Sequence, residues 1–176
     1  MSSDNTTRLF FALWPDPATR KRLTALQHTF SGQPGRFNHP YDLHTTLVFL
    51  GPVEAERMEC VIAAAERVSP HPFSLLLDRC ETWKKPRILC CTPATTPPPL
   101  TQLVTELEKA LSGCGFEPEK RRYTPHVTLA RKVQVEAGGQ LAQPLSWQVE
   151  GFVLAGSGGQ GPGPRYRILK KWRADS

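Results

Sequence analysis

Apolar residues occur in short runs along this 176-residue chain, separated by stretches rich in proline, glycine and charge. Runs dense in leucine, β-branched and aromatic side chains predict strands at residues 8–14, 43–50, 73–83, 87–92, 146–154 and 166–172. Apolar residues at helical spacing predict helices at 17–28, 54–68 and 100–111. This mixture of strands and helices predicts an α+β fold.

The order of these elements occurs twice at nearly the same length. A strand, a proline break, a helix, a loop and a second strand lead from Arg8 to His44, and the same order leads from Arg87 to His126. The repeat predicts an internal duplication. We therefore expect two lobes related by a pseudo-twofold axis, each a mostly antiparallel sheet with helices packed on its outer face, and a cleft between them. The alternative is that α+β proteins produce such a pattern without duplication.

Each repeat ends in the same short motif. The two copies are His44-Thr45-Thr46-Leu47 and His126-Val127-Thr128-Leu129. Side chains two residues apart on a strand project from the same face, so each histidine shares a face with its threonine. Two copies facing one cleft would combine two imidazoles, which can divide acid–base work, with two hydroxyls that can donate to a phosphate. A lone motif more often holds a structural histidine, but the pairing favours a catalytic site.

Composition bears on the partner and on the compartment. The chain has 22 Lys and Arg against 16 Asp and Glu, a net charge of +6, which favours an anionic partner such as RNA, although solubility explains the charge about equally well. The polar N-terminus and the lack of a long apolar run predict a cytoplasmic protein that does not contact a membrane. Without any C-x-x-C spacing, we expect five reduced, mostly structural thiols, at Cys60, Cys80, Cys90, Cys91 and Cys114.

Two nucleotide-binding classes are excluded by the sequence. Gly156, Gly158 and Gly161 match the spacing of a dinucleotide-binding loop, but Pro162 and Pro164 oppose the helix that such a loop must open. The chain also has no G-x-x-x-x-G-K-[ST] motif, so the sequence gives no support for nucleoside triphosphate hydrolysis.

The two motifs and their surroundings resemble the two-histidine (2H) phosphoesterase superfamily, and most closely its bacterial RNA 2′,3′-cyclic phosphodiesterases, once called 2′-5′ RNA ligases. The resemblance covers most of the chain through four blocks in matching order, at residues 8–13, 44–51, 86–89 and 123–131. It implies a single 2H domain over residues 1–176. Thr45 departs from the family, whose members more often carry an apolar residue there, and this position should face the core.

The resemblance also implies a reaction. RNA 2′,3′-cyclic phosphate ends would be hydrolysed to 2′-phosphate ends without a metal or a cofactor, with His44 as proton donor and His126 as proton acceptor. The residues alone do not orient the pair, because the two motifs are alike and exchanged roles would fit equally well.

Five further residues are predicted to bind the substrate. Thr46 and Thr128 would donate hydrogen bonds to the nonbridging phosphate oxygens. Arg131 matches a basic position of the family, but an ideal strand would turn it away from the cleft unless a bulge intervenes. Phe11 and Tyr123 are candidates for stacking on a base, although core packing is the commoner role for a phenylalanine.

The predicted partner is RNA with a cyclic phosphate end, such as a tRNA fragment or an oligonucleotide, bound by a monomer. Two alternatives remain open. The site could act as a 2′-5′ RNA ligase on tRNA halves, or the chain could be a non-catalytic RNA-binding module with a degenerate site. The intact motifs count against the second alternative.

Overall fold

The computed structural model describes residues 5–159 and 161–175. Its strands are β1 (Thr6–Leu13), β2 (Arg36–Phe37), β3 (Thr45–Glu54), β4 (Phe73–Lys84), β5 (Arg87–Thr92), β6 (Val127–Arg131), β7 (Gly139–Val149), β8 (Gly151–Ser157) and β9 (Tyr166–Arg173). Its α-helices are α1 (Pro17–Thr29), α2 (Met58–Glu66) and α3 (Pro98–Ser112). Within the two described ranges, none of the helices is long and apolar enough to cross a membrane.

The strands form one antiparallel sheet in the order β7-β4-β5-β6-β3-β1-β8-β9, with β2 paired to β6. The two strands that follow the histidines, β3 and β6, meet at its centre. Beside each of them lies the strand that begins its repeat, β1 in one half and β5 in the other, and two more strands complete each half. The predicted α+β fold with a mostly antiparallel sheet is confirmed, and the strand order matches the two predicted lobes.

The two faces of the sheet have different surroundings. On one face, Leu23 of α1, Val61 of α2 and Leu107 of α3 pack with inward-facing strand residues in a single large core cluster. On the other face, Phe10 and Ala12 of β1 join Val153 and Ala155 of β8 in a small apolar cluster. Because the three helices all pack on the first face, the second face remains available to form a binding surface.

Several predicted boundaries differ from the structure. β3 continues through Gly51 and Pro52 to Glu54, because it pairs with β1 along this length and Pro52 needs no second partner strand. The predicted strand at 146–154 is two strands, since β7 pairs with β4 and β8 pairs with β1 in the other half of the sheet. The predicted helix at 54–68 begins as a 3-10 turn, Ala55–Arg57, before α2.

The prediction of five reduced cysteines was wrong. Cys60 of α2 and Cys114, just after α3, form a disulfide with a Cα–Cα distance of 5.9 Å. Packing of α2 against α3 brings these two residues together, and their separation of 54 positions gave no signal in the sequence. The other three cysteines are free and buried, at Cys80, Cys90 and Cys91.

Candidate active site

The pairing of β3 with β6 brings the two His-x-Thr motifs together. Thr45 lies opposite Val127 in this antiparallel pair, and both side chains are fully buried. The same register sets His44 opposite Thr128 and Thr46 opposite His126. Because side chains alternate along a strand, these four project from the face opposite to Thr45 and Val127. Two imidazoles and two hydroxyls therefore share one small area of the sheet.

His44 is fixed by hydrogen bonds on both ring nitrogens. Its Nδ1–H donates to the backbone carbonyl of Asp42 at 2.6 Å, and its Nε2 lies 3.1 Å from the hydroxyl of Thr46. Asp42 is itself buried, and its carboxylate accepts from the backbone N–H groups of Arg165 at 2.9 Å and Tyr166 at 3.2 Å. The turn before β3 and the start of β9 therefore orient this imidazole.

Three aromatic rings surround His44. The indole of Trp14 is stacked on the imidazole at 4.8 Å with an interplanar angle of 3°. Phe10 lies 5.0 Å away and Tyr166 meets the imidazole edge-on at 5.5 Å, as measured between ring centroids. This burial lowers the pKa of His44 from 6.5 to about 4, because desolvation disfavours the imidazolium. The hydrogen bond to Asp42 acts in the opposite direction.

His126, in the other half of the sheet, is held through Nδ1 in the same way. Its Nδ1–H donates to the backbone carbonyl of Thr124 at 2.9 Å, and the ring of Trp83 lies 4.5 Å from its own. Burial lowers the pKa of His126, and the positive charge of Arg131 lowers it further. Each histidine thus commits Nδ1 to a carbonyl two residues earlier, which leaves Nε2 as the nitrogen available for proton transfer.

A bulge in β6 brings Arg131 to the same face. In the pairing of β6 with β5, Leu129 is the extra residue that has no partner on β5. Both Leu129 and Ala130 are buried in the core cluster beneath the sheet. The extra residue shifts the alternation of side chains by one position, so Arg131 projects from the same face of the sheet as Thr128. Consistent with this placement, the guanidinium charge lowers the pKa of both His44 and His126.

The groups that the site offers are suited to proton transfer beside an anion. They are two imidazole Nε2 atoms, two threonine hydroxyls and one guanidinium. Within residues 5–159 and 161–175, no three His, Cys, Asp or Glu side chains are grouped as metal ligands would be. Acid–base chemistry on a phosphate is the reaction class that this set of groups fits best.

The sequence matches the family model described as the 2′-5′ RNA ligase superfamily over residues 15–160. This match spans most of the chain. The protein belongs to the 2′-5′ RNA ligase superfamily. The resemblance inferred from the two motifs is thereby confirmed.

Two relatives and one solved structure agree with membership of this superfamily. A protein of Escherichia coli (strain K12) named RNA 2′,3′-cyclic phosphodiesterase is 31% identical over 168 residues, which is 94% of this chain and 95% of that protein. A Bacillus subtilis (strain 168) protein of the same name is 33% identical over 105 residues, 57% of each chain. A crystal structure of Escherichia coli LigT complexed with 3′-AMP has a TM-score of 0.88 at 28% identity, covering 97% of this chain and 99% of that one.

The prediction that Phe11 stacks on a base was wrong for this superfamily member. Its side chain is fully buried and packs against Phe152 and Trp172, with ring centroids 6.1 and 5.9 Å away. Its neighbour Phe10 lies on the face of the histidines instead. Strand alternation contained this information, because Phe11 shares its face with core residues Leu9 and Leu13.

Tyr123 is half-buried and is held by a hydrogen bond within the protein. Its hydroxyl donates to the backbone carbonyl of Thr46 at 2.8 Å, and its ring packs against the core cluster. Burial accordingly raises the pKa of this phenol. Tyr123 ties the segment before His126 to β3, and its stacking on a base stays a prediction.

The sequence patterns did not indicate the aromatic residues and the carboxylate that surround the histidines. Trp14 directly follows β1, and Trp83 lies near the end of β4. Neither tryptophan belongs to a motif that would mark it as a site residue. Alternation from Leu13 could have placed Trp14 on the face of the histidines. For Trp83, alternation from Leu75 and Leu77 would have indicated the core face, because the pairing of β4 with β7 shifts register between Leu77 and Arg79. The full missed set is Phe10, Trp14, Asp42, Trp83 and Tyr166.

Proposed function

We propose that this protein is a phosphodiesterase that hydrolyses RNA 2′,3′-cyclic phosphate ends to 2′-phosphate ends by acid–base catalysis. The observation that carries the proposal is the pairing of β3 with β6 at Thr45 and Val127, whose register puts the two His-x-Thr motifs side by side. The Escherichia coli and Bacillus subtilis relatives named RNA 2′,3′-cyclic phosphodiesterase support this substrate.

The proposed reaction is one in-line displacement at phosphorus. Nε2 of neutral His126 accepts a proton from a water molecule while the water oxygen forms a bond to phosphorus. The bond from phosphorus to the 3′-oxygen breaks, and Nε2–H of protonated His44 donates a proton to this leaving oxygen. The product carries a 2′-phosphate and a free 3′-hydroxyl. Thr46, Thr128 and Arg131 stabilise the charge that develops on the nonbridging oxygens.

The acid role of His44 depends on the substrate. In the free protein burial holds the pKa of His44 near 4, which favours the neutral ring. A phosphodiester anion placed against the imidazole favours the charged form and raises this pKa in the complex. Substrate binding therefore favours the protonated form of His44, which can then act as the acid. The matching contacts of His126 would allow the roles to be exchanged, which pH–rate profiles of the two single variants would separate.

We propose that no metal ion or cofactor takes part. The reaction needs a base, an acid and positive charge beside the phosphate, and side chains of this chain supply all three. Activity should therefore persist in excess EDTA.

The test is a screen of oligoribonucleotides with 2′,3′-cyclic phosphate ends in EDTA, resolving 2′- from 3′-phosphate products. We expect 2′-phosphate ends from the wild-type protein and a fall in kcat of about 10² or more in His44→Ala and in His126→Ala. His71→Ala is the matched control, because His71 is exposed and lies apart from the paired motifs. Wild-type turnover in either of the first two variants would refute the two-histidine mechanism.

A second candidate is ligation, which the description of the matching family as 2′-5′ RNA ligases favours. If the 5′-hydroxyl of a second RNA replaces water as the nucleophile, the same displacement yields a 2′-5′ linkage and a free 3′-hydroxyl. Incubation with tRNA halves, followed by quantification of joined and hydrolysed products, measures which nucleophile dominates. We propose hydrolysis, since water is present in large excess.

We also propose that one chain is the active unit, because a single copy supplies both motifs. Sedimentation of the active protein would test this. The single domain over residues 1–176 and the cytoplasmic location stay predictions. The Cys60–Cys114 disulfide weighs against a reducing compartment.

A further inference from the structure

We infer that a basic pocket beside the paired histidines binds the phosphodiester group one nucleotide upstream of the cyclic end. The consequence is that the protein acts on RNA oligonucleotides in preference to cyclic mononucleotides. This inference rests on the proposed function, which it extends to the length of the substrate. We call the site the upstream pocket and define it by Arg36, His39 and Arg165.

The upstream pocket is a cavity of about 410 Å³ between residues 36–39 and the segment that leads into β9. Two of its lining residues also form hydrogen bonds with the His-x-Thr motifs. Asp42 accepts the Nδ1–H of His44 through its carbonyl, and the side-chain amide of Asn38 donates to the carbonyl of Thr128 at 3.0 Å. The pocket therefore adjoins both motifs, and its volume lies in the range of cavities that hold small ligands.

Positive charge exceeds negative charge in this pocket. Arg36 and Arg165 are exposed, and in the part of the chain that the structure describes no ion pair involves either guanidinium. The one acidic residue of the lining, Asp42, already accepts from the backbone N–H groups of Arg165 and Tyr166. Arginine suits a phosphate because its planar guanidinium can donate two parallel hydrogen bonds.

His39 supplies an N–H donor to the same pocket. Its Nδ1 accepts from the backbone N–H of Tyr41 at 3.1 Å, so the proton of the neutral ring lies on Nε2. Nε2–H is then available to an acceptor in the cavity. A phosphodiester presents two nonbridging oxygens, which match a pocket containing two guanidinium groups and one N–H.

The position of the pocket identifies which phosphate would enter it. Arg36 pairs with Arg131 across β2 and β6, and Arg131 is the cation assigned to the reacting phosphate. An RNA strand that ends in the cyclic phosphate continues in one direction, toward its 5′ end, so the next anion along it is the upstream phosphodiester. Contacts to a phosphate carry no sequence information, so the preference should apply to every base.

The experiment compares a cyclic mononucleotide bearing a 5′-hydroxyl with a dinucleotide that ends in the same cyclic nucleotide. We expect the wild-type protein to show a higher kcat/KM for the dinucleotide. The double variant Arg36→Gln/Arg165→Gln should lower kcat/KM for the dinucleotide about tenfold, within the range for two exposed charge contacts. It should change the mononucleotide by less than about twofold. The matched control is Arg67→Gln/Lys109→Gln, two exposed charges beside a different cavity, which should alter neither substrate.

Salt provides an independent readout. Each phosphate contact on a single strand contributes about 0.7 to the slope of log affinity against log salt concentration. The Arg36→Gln/Arg165→Gln variant should lose about this amount with the dinucleotide. Equal kcat/KM of the wild-type protein for both substrates, or an equal fall for both in the double variant, would overturn the inference.

Failure of the proposed function has a different signature. If the wild-type protein cleaves no cyclic phosphate, binding can still be measured by titration with a dinucleotide and a mononucleotide that each end in a 2′-phosphate. Tighter binding of the dinucleotide, lost in the double variant, would support the upstream pocket without catalysis. Equal binding of the two products would overturn it.

Discussion

At the scale of single residues, burial of the two histidines sets the pH range in which the site can work. His44 lies among Trp14, Phe10 and Tyr166, and His126 lies against Trp83. Desolvation disfavours the imidazolium, so both pKa values fall below the ordinary value of 6.5. In the unliganded protein, both rings are therefore mainly neutral at pH 7.

This leads to a prediction for the pH profile. The dependence of kcat/KM on pH reports the acid and the base of the free enzyme, and its maximum lies midway between their two pKa values. Since both values are lowered, kcat/KM should be greatest below pH 6.5. The maximum of kcat should lie at higher pH, because the bound phosphate anion raises the pKa of the acid. Steady-state kinetics from pH 4 to 9 would measure both maxima, and a kcat/KM maximum above pH 7 would contradict the prediction.

The residues at this site differ in how far the sequence could predict them. His44, Thr46, His126 and Thr128 follow from strand alternation, which depends on local geometry. Phe11 was chosen by residue type, and alternation places its neighbour Phe10 at the site instead. The remaining aromatic residues come from other strands, so their contacts depend on which strands become neighbours, and one sequence does not give that order.

At the scale of elements, the bulge in β6 decides which basic side chain lies on the face of the two histidines. Counting by two from Thr128 would select Lys132, but the buried pair Leu129 and Ala130 shifts the alternation and selects Arg131. Lys132 then adopts the left-handed conformation, with φ of 55°. A bulge adds one residue to one strand and has no composition signal, so the sequence could not choose between these two side chains.

The bulge leads to a prediction with an internal control. Arg131→Met should lower kcat/KM for a cyclic phosphate by about 10- to 100-fold, because the guanidinium no longer stabilises the developing charge. Lys132→Met removes the same charge from the next residue and should change kcat/KM by less than about threefold. Steady-state kinetics on one substrate measures both variants. Equal losses would indicate a contribution from net charge alone, and a larger loss for Lys132→Met would show that the strand is regular in solution.

At the scale of the whole molecule, the repeat in the sequence explains why the motifs meet. Each repeat delivers its histidine to the start of a strand, and the sheet joins those two strands at its centre. Neither half contains both imidazoles and both hydroxyls by itself. The repeat predicted two similar halves. Local patterns were less successful with β7, because only its last residues, from Ser146, were predicted as a strand. Its first residues, from Gly139, are mainly exposed and lack an apolar run.

The Cys60–Cys114 disulfide is a second connection that only the folded chain reveals, and its removal should affect stability more than catalysis. A cross-link over 54 positions restricts the unfolded chain, so Cys60→Ser/Cys114→Ser should lower the free energy of unfolding by about 2–4 kcal/mol. Urea unfolding would measure this loss. Dithiothreitol should lower the wild-type midpoint to that of the double variant and leave the variant unchanged.

Because α2 and α3 pack on the face opposite to the histidines, kcat for a cyclic phosphate should stay within about twofold in both proteins under folding conditions. An unchanged midpoint on reduction would show that the disulfide does not form in solution, whereas a large loss of kcat would show that the two helices control the spacing of the motifs.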